Sequence, residues 1–238
     1  MVWVGGSVVV VLVLVVGAVG NLAAVIYMRY FVVSNIITSN VVLRHSLSLV
    51  FLFGFFLFST EKYIKKDFQK LFPNSIKEAK VGFMNPDING MKNPSYRQVC
   101  SGSTGHVEVL NVVLTDEAAT DEKVFTELMK FFYMFHDPTT LHRQGNDTGT
   151  QYSSIIFTTS KQQSDIANSI KQELQTAMNN KAITTNYAEK TIHTGIVDYT
   201  TFYEAHEEHQ EYLMKNPLGY CNHRFRFKTW PETSCDAN

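Results

Sequence analysis

His106-Val107-Glu108-Val109-Leu110-Asn111-Val112-Val113-Leu114 is the stretch that decides the fold class. Its side chains alternate, with Val107, Val109, Asn111 and Val113 sharing one face, and this pattern predicts a strand. Downstream, Asp121 to Phe135 has the spacing of an amphipathic helix, capped by Thr120 or Asp121 and stopped by His136-Asp137-Pro138. A strand over Ser154 to Thr158 follows, then a polar helix over Ser160 to Asn179 marked by Ile166, Ile170 and Leu174. Beyond it, Ile192 to Tyr199 reads as a strand, and Phe202 to Met214 as a helix ending before Asn216-Pro217. Upstream, Tyr63, Ile64, Phe68 and Leu71 give a helix from Lys62 to Leu71. Ala79 to Phe83 reads as a strand, and Asn85-Pro86-Asp87 with Asn89-Gly90 as a loop. Strands interleaved with helices in this order predict an α+β, two-layer sandwich with long loops.

The 238 residues suit one domain and an extension. A net charge of −1 gives no reason to expect nucleic-acid binding. Charge is unevenly spread, however: before Ser59 only Arg29 and Arg44 are charged, whereas the rest has the composition of a globular protein. The expected organisation is therefore an apolar leader over 1–58, a globular domain over 59–225 and a flexible tail over 226–238. Val8 to Ile26 is long and apolar enough to span a bilayer as a helix, and Leu47 to Phe58 is too short to do so alone. The leader lacks the basic start of a secretory signal. It reads either as a membrane anchor, with Arg29 and Arg44 holding the globular part in the cytosol, or as a stretch foreign to the functional protein. Cys100, Cys221 and Cys235 are too few and too unevenly placed for a disulfide scaffold, which favours a reducing compartment. A cytoplasmic protein is the first expectation, and a membrane-anchored one the alternative.

Between the elements lie loops of unusual composition. His136-Asp137-Pro138-Thr139-Thr140 runs on through Arg143-Gln144-Gly145-Asn146-Asp147-Thr148-Gly149-Thr150-Gln151-Tyr152, a stretch that builds a shaped, hydrogen-bonded loop rather than a core. Together with Asn93-Pro94-Ser95-Tyr96-Arg97-Gln98-Val99-Cys100-Ser101-Gly102, the following Thr104-Gly105-His106 and Glu108, His209-Gln210 with Tyr212-Leu213, and Asn216-Pro217 with Gly219-Tyr220-Cys221, it resembles the A-type peptide methionine sulfoxide reductases. The motifs occur in the family's order and cover about Ser59 to His223. Departures within them are mild: Ser153 stands where arginine is usual, and His142 where asparagine is common.

The resemblance implies a ferredoxin-like core and a thiol-dependent reduction of methionine (S)-sulfoxide. A thiolate attacks sulfur, an acid protonates the departing oxygen, and a second thiol resolves the sulfenic acid. It assigns Glu108 as the acid, with Tyr96, Asp147 and Tyr152 as its hydrogen-bonding companions, and Phe58 and His209 to the substrate pocket. Cys221 matches the family's recycling thiol, and Cys235 could serve as a second or be a bystander. No bound cofactor is implied. Thioredoxin or another dithiol is the reductant, oxidised proteins or free methionine sulfoxide are the substrates, and the working form is a monomer. One residue is missing. The family's Gly-Cys-Phe-Trp at the first helix corresponds here to Phe55-Phe56-Leu57-Phe58, so Phe56 occupies the nucleophile position. The spacing of His206 and His209 is not that of a zinc hydrolase, and a solvated helix face with one structural histidine is the expected reading.

Overall fold

The computed structural model of the chain describes the backbone of residues 11–15, 27–31, 48–52, 57–219 and 224–231, with side chains from residue 60 onward. Contacts group the chain into Met1–Ser46 and Leu47–Asn238. In the first unit, β1 (Val11–Val15) and β2 (Tyr27–Phe31) pair antiparallel. Five residues in the first half of the run expected to span as a helix are thus extended strand, a conformation that suits β-branched valines. No helix among the described residues is long and apolar enough to cross a membrane.

The second unit is a mixed helix-and-sheet structure. Its six-stranded sheet runs β10-β4-β5-β3-β8-β9, comprising β3 (Ser48–Leu52), β4 (Ile76–Met84), β5 (Val107–Leu114), β8 (Ile155–Thr158), β9 (Gly195–Asp198) and β10 (Tyr203–Glu204). Only β8 and β9 pair in parallel. β3 lies between β5 and β8, Leu52 opposite Val109 and Phe51 opposite Ile156. A continuous apolar run of this length is equally compatible with a strand and with part of an apolar leader, and pairing on both edges makes Ser48-Leu49-Val50-Phe51-Leu52 an interior strand of the sheet. The boundary expected at Ser59 falls inside the next helix, α1 (Leu57–Lys62), which continues as a π-helical stretch over Tyr63–Phe68 and a short turn over Gln69–Leu71.

The core forms because the two sides of β5 each find partners. Leu110, Val112 and Leu114 join the main cluster with Val81, Phe132 and Leu174, while Val107 and Val109 pack with Met84 and Phe157 in a smaller one. The strand is therefore apolar on both faces, and alternation places Glu108 on the side of Leu110 and Val112. Helices α2 (Tyr96–Cys100), α3 (Asp116–Thr120), α4 (Glu122–Phe135) and α5 (Lys161–Asn179) follow their local signals. Asp121 caps α4 by accepting from the Lys123 N–H at 2.9 Å, and Ser160 caps α5 by accepting from Gln163.

The helix expected over Phe202 to Met214 does not form. Tyr203 and Glu204 pair with Phe83 and Gly82 as an edge strand, turns follow, and only α6 (Tyr212–Lys215) is helical. The backbone here is claimed by the sheet: the Ala205 N–H donates to the Val81 carbonyl at 3.0 Å. The Gln210 side chain then completes the edge, its oxygen accepting from the Val81 N–H at 2.9 Å and its nitrogen donating to the Val81 and Ala205 carbonyls. Those bonds outweigh a helical spacing that has no apolar stripe behind it.

Candidate active site

Two segments and one strand converge. The first segment is set by a capping box: Ser95 caps α2, its hydroxyl accepting from the Gln98 N–H, while the Gln98 side chain accepts from the Ser95 N–H at 2.9 Å. Tyr96 thereby takes the first helical position and Cys100 the position one turn on, on the same face of the helix. The helix stops at Gly102, whose φ of 72° ends it in the left-handed region.

The second segment is the Asp/Gly/Thr-rich loop. A small hairpin, β6 (Arg143–Gln144) with β7 (Asp147–Thr148), presents Asp147, and a 3-10 turn over Thr150–Tyr152 presents Tyr152. Gln151 ties the two segments together, its Nε2 donating to the Cys100 carbonyl at 3.1 Å. Its side chain lies against Gly102 and Gly149, and a β-carbon at Gly149 would stand 2.3 Å from Gln151 Oε1.

β5 carries Glu108 into this setting. The residue is 1% exposed, and Oε1 has no hydrogen-bond partner among the described residues. Burial pushes its carboxyl up to about 8, and the neighbouring Asp147 charge adds to the effect. Asp147 is also raised by burial, and its Oδ2 is likewise buried and unpartnered. Burial lifts the Tyr152 hydroxyl to about 12, with Glu108 contributing, and raises Tyr96 as well. Near neutral pH the site therefore holds a protonated carboxyl and two protonated phenols, all able to donate hydrogen bonds. His209 stacks on Tyr96 with ring centroids 4.4 Å apart. Burial lowers its pKa, offset in part by Glu208.

The sequence-predicted set thus divides. Tyr96, Glu108, Asp147 and Tyr152 come together, with His209 against the outer face of Tyr96. Phe58 lies in α1, and of its side chain nothing is described; Phe56, Cys221 and Cys235 lie outside the described residues. The resemblance implies that Cys100 is not the attacking thiol, and its place four residues after Tyr96 on a short helix puts the two on one face. The His136-Asp137-Pro138-Thr139-Thr140 motif forms a scaffold: His136 is bonded to the Phe132 carbonyl at 2.6 Å and to the Ser154 hydroxyl at 3.0 Å. Asp137 holds Thr139 and the Ala188 N–H. Among the described residues, no group of His, Cys, Asp and Glu side chains is arranged to hold a metal ion.

The family model described as peptide methionine sulfoxide reductase matches residues 59–234. The chain belongs to this family. A peptide methionine sulfoxide reductase MsrA of Trichodesmium erythraeum is 40% identical over 147 residues, covering 61% of this chain and 75% of that one. The MsrA of Salmonella arizonae is 43% identical over 129 residues, 54% of this chain and 57% of its own. The human mitochondrial peptide methionine sulfoxide reductase is 45% identical over 129 residues, 54% of this chain and 51% of its own. The matched part thus spans between half and three quarters of these relatives. Among solved structures, Mxr1 of Saccharomyces cerevisiae in reduced form superposes with a TM-score of 0.60 at 31% identity, covering 76% of this chain and 92% of that one. Methionine sulfoxide reductase A of Corynebacterium diphtheriae gives 0.56 at 31% identity, covering 73% and 76%.

Proposed function

We propose that this chain carries the substrate-binding and proton-donating half of a peptide-methionine (S)-S-oxide reductase, with Phe56 in place of the attacking cysteine. The observation that supports it best is the buried, unpartnered carboxyl of Glu108, kept protonated by burial and flanked by Tyr96, Asp147 and Tyr152. A polar S=O group is what such a set of donors is suited to receive, because an unpartnered buried oxygen costs stability unless a ligand completes it. Glu108 donates a proton to the sulfoxide oxygen while Tyr96 and Tyr152 orient it, and the ring of His209 and the indole-position residue Phe58 border the methyl group.

In this reading the sheet and helices form a two-layer, ferredoxin-like sandwich over about 59–225, preceded by β3 and followed by the tail. Oxidised proteins or free methionine sulfoxide are the substrates, and Cys221 and Cys235 are the recycling thiols. A thioredoxin-type dithiol is the reductant, no bound cofactor takes part, and the protein works as a cytoplasmic monomer. Phenylalanine has no nucleophilic atom, so turnover by the chain as it stands is expected to be far below that of a cysteine-bearing relative.

The test is dithiothreitol-driven reduction of a peptide carrying one methionine (S)-sulfoxide. Phe56→Cys combined with Phe58→Trp is expected to raise turnover by about 10²-fold or more. No gain in a folded double variant overturns the assignment of the pocket.

A further inference from the structure

A surface next to the chain that leads to Cys221 has no task in the reading above. A groove of about 690 Å³ runs between α6 and the helical stretch that continues α1. Lys62, Lys65, Lys66 and Lys70 line one side, Met214 and Pro217 belong to the other, and no acidic residue among those described lines it. Ile64 and Phe68 are fully buried, which turns the lysines beside them outward. Lys65 is bonded to Glu61 and Glu211, and Lys70 to Asp67, whereas Lys62 and Lys66 have no ion-pair partner among the described residues. The other side is apolar and open to solvent: Met214 is 58% exposed, and Leu218, one residue past Pro217, is fully exposed. A small anion would use the charges and leave these apolar side chains in water. A protein face that carries acidic and apolar groups together uses both.

We propose that this groove is the docking surface for the protein dithiol that recycles Cys221, a partner whose contact face is acidic around an apolar centre. The proposal rests on the reading of Cys221 as the recycling thiol. Cys221 follows Pro217 by four residues, so no more than roughly 14 Å of chain separates it from the wall of the groove. A protein that brings its own thiols to Cys221 therefore meets this surface, whereas the sulfoxide is received by Glu108 on β5. Lysines facing acidic groups raise the rate of encounter and fix the orientation of the partner. Burial of Met214 and Leu218 then holds the pair while the thiols exchange. A small dithiol needs neither contribution, and the groove thus distinguishes a protein reductant from a small one.

The experiment uses the full chain with its thiols converted to mixed disulfides with thionitrobenzoate. Loss of the label from Cys221 is timed by peptide mass spectrometry, with either an acidic thioredoxin or dithiothreitol as reductant. One reductant thiol attacks the mixed disulfide and the second closes the reductant's own disulfide, releasing thionitrobenzoate and the Cys221 thiol. Lys62→Glu combined with Lys66→Glu is expected to slow thioredoxin by about 10-fold and dithiothreitol by less than about 2-fold. Lys62→Arg with Lys66→Arg should keep both rates, and Leu218→Asp should slow thioredoxin alone. A thioredoxin rate unchanged by the glutamate pair, or a loss shared equally by dithiothreitol, overturns the proposal. Loss of binding to phosphatidylcholine–phosphatidylserine vesicles in the glutamate pair, with thioredoxin unaffected, overturns it too and assigns the face to a lipid surface. If thioredoxin leaves Cys221 labelled while dithiothreitol strips it, the docking and the recycling role both fall. Calorimetry of a methionine (S)-sulfoxide peptide on the unlabelled chain then decides the Glu108 reading by itself.

Discussion

His136 and Glu108 are both buried almost completely, and their surroundings are opposite. The imidazole of His136 has partners at both nitrogens, and Ser154 passes the network on to Thr194 at 2.9 Å. Glu108 has an oxygen with no partner at all among the described residues, next to a second such oxygen on Asp147. Burying an unsatisfied polar atom costs about 1–3 kcal/mol, more when the group is ionisable. The polar, signature-like sequence around His136 is thus scaffold, whereas the carboxyl of Glu108 inside an apolar strand is the group to which the proposed function assigns the chemistry.

Substitutions can break this contrast from either side. The largest effect is expected from His136→Ala, which leaves the Phe132 carbonyl and Ser154 hydroxyl without partners and opens a cavity. Loss of about 3–4 kcal/mol in denaturant unfolding would identify it as scaffold. Glu108→Gln should do the reverse. In the Phe56→Cys, Phe58→Trp background it is expected to lower turnover by about 10²-fold without lowering the thermal midpoint. An equal loss of stability would show that the carboxyl is structural.

The two sites also pull in opposite directions with pH. Glu108 is raised in the folded state from 4.5 to about 8, so its contribution to stability is fully present below 4.5 and is lost as pH rises through about 8. His136 is lowered from 6.5 to about 3 by burial, so its contribution is present above 6.5 and is lost as pH falls through about 3. Glu108→Gln should therefore raise the melting temperature most at pH 8 and not at all below pH 4.5, as read by calorimetry across that range. In the restored enzyme, turnover should decline as pH rises through about 8 and Glu108 loses its proton. The smallest effect belongs to the joint between the regions. Gly149→Ala forces Gln151 away from its place under the Cys100 carbonyl and should cost about 1–2 kcal/mol in unfolding free energy.

How much of this was legible beforehand varied with the physics involved. β5, α4 and α5 were readable because alternation, helical spacing and a capping Asp121 or Ser160 are local signals. β3 was not, because a short continuous apolar run has no alternation to separate a strand from an apolar leader. The stretch after Phe202 misled for another reason. Its helical spacing was outweighed by bonds to the edge of β4, made in part by the Gln210 side chain, which no local pattern encodes. Within the site, Tyr96, Glu108, Asp147 and Tyr152 were legible only through their motifs, which the structure brings near one another. What the motifs could not convey is environment: the unpartnered oxygens of Glu108 and Asp147 arise from the packing of distant segments.

Glu61 illustrates a consequence of a different kind. Its buried carboxylate accepts from the Glu211 N–H at 2.6 Å and is paired with Lys65 at 2.6 Å, while Lys65 also reaches Glu211 at 3.0 Å. The clamp fastens the segment before α6 to α1 and its π-helical continuation, so two stretches 150 residues apart in sequence are held as one. Lys65 and Glu211 are partly exposed, so added salt should loosen their share of the knot while the bond from the Glu211 N–H to the buried Glu61 carboxylate persists.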